Sequence, residues 1–290
     1  MRTSGSASRS GTRSGTRAGS RAATTSPPVL EGRGLRLGYP GSQDVVHDLD
    51  LRIEHGELVA NVGPNACGTS TLLRSLSKVL PPRQGTVLLD GEAIASMRPK
   101  AFAREVGFLA QSSTAPEGIT VHELVSRGRY PHQSALHQWS AEDGRQVRSA
   151  MELTSTAELA GRRVSELSGG QRQRVGIAMA LAQRTRVLLL DEPTTYLDQA
   201  HQVEVLDLCR HLNEARGTTV VAVLHDLNQA CRYADRIIAM RDGRVVTQGA
   251  PRQVVTPELI EKVFGLKVLV IPDPATGTPL VVPDAPGAGT

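Results

Sequence analysis

Cysteine is scarce in this chain of 290 residues: there are three, Cys67, Cys209 and Cys231, at wide and irregular spacing. They make neither a disulfide framework nor a zinc ligand set, so a reducing, cytoplasmic setting is the expectation. Long apolar runs are also missing. None approaches the roughly 18–20 residues of a membrane span, so any work at a membrane goes through a partner. Acidic residues are absent from the start of the chain, where Arg2, Arg9, Arg13, Arg17 and Arg21 precede the first acid, Glu31. Everything after those arginines carries 28 basic residues against 29 acidic ones. A body so close to neutral removes the usual ground for a nucleic-acid-binding face, which needs basic residues gathered on a folded surface. No nucleic-acid partner is expected.

Residues 1–28 are Ser, Gly, Thr, Arg and Ala with two prolines and almost nothing to bury, and they include the near-repeat of Ser-Gly-Thr-Arg at Ser10 and Ser14. This composition predicts a disordered tail. The tail has no apolar stretch of the kind a secretory signal needs, and it lacks the amphipathic periodicity of a transit peptide.

With 39% apolar residues, the remainder can bury a sizeable core. From Val29 onward, short β-branched runs alternate with longer helical stretches. Strands are predicted over 58–62, 86–89, 106–109, 187–190 and 218–224, with a helix over 70–79 after the first of them. That alternation implies a mostly parallel sheet covered on both faces. Residues 113–166 break the rhythm and read as helices only, which is simplest as a helical insert within one α/β domain spanning 29–265. Asp242-Gly243 marks a tight hairpin turn between two short runs. Short helices follow, and 266–290 reads as a Pro- and Gly-rich, partly irregular extension.

The chemistry begins at Gly63-Pro64-Asn65-Ala66-Cys67-Gly68-Thr69-Ser70-Thr71, after a strand and before a helix. Glycines let such a loop turn its N–H groups inward, and the helix N-terminus adds partial positive charge, so the loop can cradle phosphates. Ser70 stands where the pattern GxxxxGK[ST] places a magnesium-ligating hydroxyl, but position 69 is threonine in place of lysine. On this loop alone, an ordinary glycine-rich turn fits equally well. A second element is the strand ending in Asp191-Glu192; Asp191 could hold Mg²⁺, and Glu192 could orient or deprotonate a water. A third, Leu167-Ser168-Gly169-Gly170-Gln171, places a hydroxyl, two glycines and free N–H groups at the start of a helix, which is another anion site.

With these three elements, in the chain order 63–71, 167–171 and 191–192, the sequence resembles the ATP-binding subunits of ABC transporters over residues 30–283. Four further residues match the family's short motifs: Tyr39 as the aromatic that stacks on adenine, Gln111 after the strand 106–109, Asp198 after Tyr196-Leu197, and His225 after the strand 218–224. The resemblance implies an α/β, P-loop nucleotide-binding ABC ATPase domain with a mostly parallel core sheet, an antiparallel β subdomain and an α-helical insert. It assigns Gly63 to Thr71 to the triphosphate of ATP, Ser70, Gln111 and Asp191 to Mg²⁺ and its water, Glu192 to the general base and His225 to the γ-phosphate. Ser168, Gly169, Gly170 and Gln171 would clamp the ATP of a second nucleotide-binding subunit, so a homodimer is expected. Transmembrane permease subunits would meet the helical insert, with Gln111 at the coupling point. The chain would lie at the cytoplasmic face of the cell membrane, served indirectly by an extracytoplasmic substrate-binding protein. Stretches after Gln111, Gly128 and Tyr196, and from Asp226 to Val282, look most like the ATPases of iron–siderophore importers, with cobalamin and haem importers close behind.

Two residues depart from the family pattern. Ala66 replaces a glycine found in many members, which is tolerable where its φ is negative. Thr69 replaces a full positive charge with a neutral hydroxyl. Arg74, one helical turn on, is expected to point away from the phosphates and leave that charge unreplaced. An ATP-hydrolysing importer subunit, a nucleotide-binding subunit with little turnover, and a soluble ABC protein acting on ribosomes or DNA are the three classes to separate. The last usually carries two cassettes or a long coiled-coil insert, and this chain has neither.

Overall fold

Three strands, LVANV, VLLLD and TVVAV, each carry a single polar residue, and this dictates where they lie: a strand buried on both faces must sit inside a sheet covered on both sides. The computed structural model, which describes residues 27–111, 115–133 and 139–284, bears this out. In chain order the elements are β1 (Leu30–Leu37), β2 (Val46–Ile53), β3 (Leu58–Val62), α1 (Thr69–Leu76), β4 (Gln84–Leu89), β5 (Glu92–Ala93), α2 (Pro99–Glu105) and β6 (Val106–Leu109). Then come α3 (Val121–Ser126), α4 (Ala141–Leu153), α5 (Gly169–Ala182), β7 (Val187–Asp191), α6 (Gln199–Arg216), β8 (Thr219–Val223) and α7 (Leu227–Tyr233). The chain closes with β9 (Arg236–Arg241), β10 (Arg244–Gly249), α8 (Pro251–Val254), α9 (Pro257–Phe264), β11 (Val268–Pro272) and β12 (Pro279–Pro283).

The central sheet runs β10-β9-β3-β8-β7-β6, and every pairing in it is parallel except β9 with β10. Alternation along each strand divides the core. Leu58, Ala60 and Val62, with Leu188, Leu190, Val220 and Ala222, face α5, α6 and α7. Val59, Val187, Leu189, Val221 and Val223 face α1, α2 and the antiparallel sheet β2-β1-β4-β5. Each fully buried Leu, Ile or Val stabilises the fold by roughly 1.5–3 kcal/mol of transfer free energy.

The helical insert has its own small core of Val121, Val125, Val147, Met151 and Leu159, closed by Val175, Ala178 and Ala182 of α5. Helix α5 therefore serves two cores, since Ile177 and Ala180 turn the other way. Helix α3 ends at Ser126, and the chain continues as a 3-10 turn, Arg127–His132, that contains Pro131, which has no N–H to donate to an α-helical ladder.

The extension after Gly265 is more regular than its composition implies. Strands β11 and β12 form a hairpin whose Val268 and Val281 join the core, and Asn228 of α7 exchanges two hydrogen bonds with the backbone of Val281, at 2.7 and 3.2 Å. The expected disordered tail lies outside the described residues apart from Pro27 and Pro28, of which Pro28 is buried. Among the described residues, no helix is long and apolar enough to cross a membrane.

Candidate nucleotide site

Parallel strands place their carboxyl ends along one edge, and the order β3-β8-β7 makes neighbours of three segments far apart in sequence. The register sets Asn61 and Asp191 on either side of Val223, so the loop after β3, Glu192 after β7 and His225 after β8 open onto one cleft, with Asp191 buried at the end of β7. That cleft, about 290 Å³, is lined by Tyr39, Val45, Pro64, Asn65, Ala66, Gly68, Thr69, Ser70, Thr71, Glu192 and His225. Gly63 and Cys67 underlie it: a side chain at Gly63 would strike the Met240 carbonyl and the Cys67 sulfur, and Cys67 is buried.

The loop folds as it does for identifiable reasons. The Cys67 amide donates to the Pro64 carbonyl at 3.1 Å, and the Gly243 amide donates to the Cys67 carbonyl at 3.0 Å, which ties the loop to the β9–β10 turn. Gly68 caps α1 at φ 103°, a conformation reserved for glycine, and contributes no side chain to the cap. The first amides of α1 are thus left without intrahelical partners at the cleft wall. Ala66 has φ +63°, so the condition set by the sequence, a negative φ, is not met and the methyl group is held in a strained conformation.

Asp191 is fully buried, accepts a 2.7 Å bond from the Ser70 hydroxyl through Oδ1, and has no hydrogen-bond partner on Oδ2. Burial pushes its carboxyl above the ordinary carboxylate range, opposed by the Ser70 bond and the charge of Arg74. Glu192, at φ +54°, sets Oε1 2.9 Å from His225 Nε2 and accepts from the Thr195 hydroxyl on Oε2 at 3.0 Å. The Gln173 amide reaches the Glu192 carbonyl at 3.1 Å.

Arg74 is where the sequence reading fails. Its guanidinium turns back toward the loop, with Nε 4.0 Å from Asp191 Oδ2 and Nη1 donating to the Tyr39 hydroxyl at 2.9 Å. Helical side chains tilt toward the N-terminus, and residue 74 stands four places after Ser70 on the same face. That spacing was the available signal. Thr195 and Gln173 carried none.

The remaining expected residues lie elsewhere. Ser168, Gly169, Gly170, Gln171 and Asp198 share a separate cleft of about 550 Å³ with Arg174, Tyr196, Leu197 and His201, and none of these lines the first cleft. Ser168 caps α5: its hydroxyl accepts from the Gln171 amide at 3.2 Å while Gln171 Oε1 accepts from the Ser168 amide at 3.1 Å. Asp198 caps α6 and accepts from both the amide and the ring of His201. Gln111 is exposed, and it borders a third space beside Gly169, Gln173 and Tyr196 instead of joining Ser70 and Asp191.

Two helix starts face clefts on this chain, a buried carboxylate lies against one of them, and the comparison with known proteins is decisive. Residues 46–195 match the ABC transporter family. The chain is 54% identical to the ferric enterobactin transport ATP-binding protein FepC of Escherichia coli (strain K12), over 88% of this chain and 93% of that protein. The chain belongs to the ABC transporter family.

This ABC ATPase is also 51% identical to a probable siderophore transport system ATP-binding protein, YusV, of Bacillus subtilis (strain 168), over 87% of this chain and 92% of that protein. A solved dimeric structure of the ATP-binding cassette MJ0796 in a post-hydrolysis state, bound to ADP and Pi, covers 76% of this chain and 98% of its own at 28% identity and TM-score 0.69. The expected α/β P-loop ABC fold is thereby shown, and ATP is the ligand of the family.

Proposed function

We propose that this ABC ATPase powers import of an iron–siderophore-type chelate through transmembrane permease subunits at the cytoplasmic face of the membrane. The observation that carries the reading is the 54% identity to a ferric enterobactin transport ATP-binding protein across nearly the whole of both chains. An extracytoplasmic binding protein would choose the chelate, and the helical insert would meet the permease.

Within the cleft, Gly63 to Thr71 would hold the triphosphate through backbone donors and the start of α1. The fit for Mg²⁺ rests on the unpartnered, buried Oδ2 of Asp191 and the neighbouring Ser70 hydroxyl. Among the described residues no three His, Cys, Asp or Glu side chains gather as a metal cluster, which suits an ion that takes one or two protein oxygens and fills its shell from phosphates and water. When bound, Mg²⁺ would neutralise charge on the phosphates. Glu192, steadied by Thr195 and His225, would accept the proton of the attacking water. Tyr39 would stack on the base. The cleft holding Ser168 to Gln171 and Asp198 would close on the ATP of a second copy, as separation of the two clefts within one chain requires, and Gln111 would enter the metal shell only on that closure.

Uptake of radio-iron in cells lacking their own importer ATPase tests the reading. The chain should restore accumulation of ferric siderophore, and Glu192→Gln should not. Restoration of cobalamin or haem uptake instead would sink it.

A further inference from the structure

The loop lacks its lysine, yet a fixed cation stands beneath it. The charged side chains facing Asp191 are Arg74 of α1, Glu192 after β7 and His225 after β8, and of these only Arg74 is a cation at every pH of interest. Its guanidinium spans two functional walls. Nε lies 4.0 Å from the unpartnered Oδ2 of Asp191, Nη1 bonds the Tyr39 hydroxyl at 2.9 Å, and the group sits 6.0 Å from the centre of the Tyr39 ring. Thr69 offers no such contact: its hydroxyl has only a 3.9 Å neighbour in the Cys67 sulfur.

We propose that Arg74 is a positioning residue that compensates in part for the charge missing at Thr69, by holding Asp191 in place for Mg-ATP and linking it to the Tyr39 wall. The proposal rests on the assignment of Asp191 and Ser70 to the metal. In a loop with lysine, the phosphates carry their own cation and Arg74 contributes little. With threonine there, Arg74 is the fixed positive charge closest to the metal carboxylate. Two groups sharing one electrostatic task are non-additive, and this gives the test its form. Arg74 is about one-third exposed, so solvent screens it and the effect is moderate.

Mg-ATP affinity of the whole chain is measured by titration calorimetry in four forms: parent, Arg74→Gln, Thr69→Lys and the double variant. Arg74→Gln should weaken Mg-ATP binding by about tenfold or more in the parent and by less than about threefold in the Thr69→Lys background. Arg74→Lys should stay within about threefold of the parent, and ATP in EDTA should show less than about a twofold change, because the route runs through Asp191 and the metal. Equal losses in both backgrounds, no loss in the parent, or an equal loss in EDTA would overturn the proposal. If Arg74→Gln does not fold, Arg74→Met keeps the stem and takes its place. Absence of Mg-ATP binding even by Thr69→Lys would instead refute the nucleotide site itself, and this proposal with it.

Discussion

Ala66 and Thr69, three residues apart, carry opposite kinds of cost. Ala66 holds φ +63° in the middle of the phosphate loop. Left-handed backbone costs an L-residue roughly 1–2 kcal/mol, and glycine returns part of that gain through its freer unfolded chain. Ala66→Gly should therefore stabilise the domain by about 0.5–1 kcal/mol, seen as a higher urea midpoint at unchanged slope. Thr69 affects the reaction more than the fold. Charge moving toward the leaving oxygen in the transition state needs a cation at that oxygen, and Arg74, beside Asp191, is not placed there. Thr69→Lys should raise turnover at saturating ATP at least about tenfold, as loss of one partner from a desolvated charge pair costs roughly 2–5 kcal/mol. Equal rates would show that another group fills the role. At this scale the sequence exposed the site well where residues sit next to each other in a motif. It is silent on φ at Ala66 and on the direction of Arg74, which the tilt of helical side chains toward the N-terminus sets.

Helix α5 joins the core shared with α6 and α7 to the helical insert, and two contacts at its ends can be tested. At its start, Ser168 caps the helix and faces the second cleft. Ser168→Arg should leave ATP binding to the single chain nearly unchanged and abolish the ATP-dependent dimer in sedimentation; a persisting dimer would remove the clamp role. At its far end, Arg129 donates to the Ala182 carbonyl and to Asp143, both at 2.8 Å, and Asp143 also accepts from the amide and hydroxyl of Ser140. Burial opposes ionisation of Asp143, but Arg129 and Ser140 outweigh it and hold the carboxyl below its usual range. A depressed carboxyl contributes stability that is present above its unfolded value of about 4 and is lost as pH falls through the folded one. Asp143→Asn should cost about 3 kcal/mol at pH 7, since it leaves Arg129 buried without its partner. The gap between variant and parent should narrow on acidification below about pH 4; a pH-independent gap would mean that shape, not charge, is what Asp143 provides. Elements were legible in proportion to their apolar continuity: β3, β7 and β8 read directly, whereas β1, with its charged and glycine positions, and the proline-flanked hairpin of β11 and β12 did not.

For the whole molecule, the parallel sheet brings the phosphate loop, Glu192 and His225 to one cleft, with Asp191 buried against Ser70, and leaves the segment of Ser168 to Gln171 facing another. On the proposed reading, a chain built this way would complete its site by pairing with a second copy, in keeping with the dimeric cassette it resembles. The resemblance implies two half-sites that serve different ATP molecules, and the structure sets the two segments in separate clefts, with α5 packed into two cores between them. The claim on which everything else depends is that this cleft hydrolyses ATP with Glu192 as base. Phosphate release at saturating Mg-ATP, measured in the Thr69→Lys background with and without Glu192→Gln, tests it most directly. The account predicts a fall of about a hundredfold or more with nucleotide binding retained. A Gln variant that keeps its rate within about threefold of the parent would contradict it.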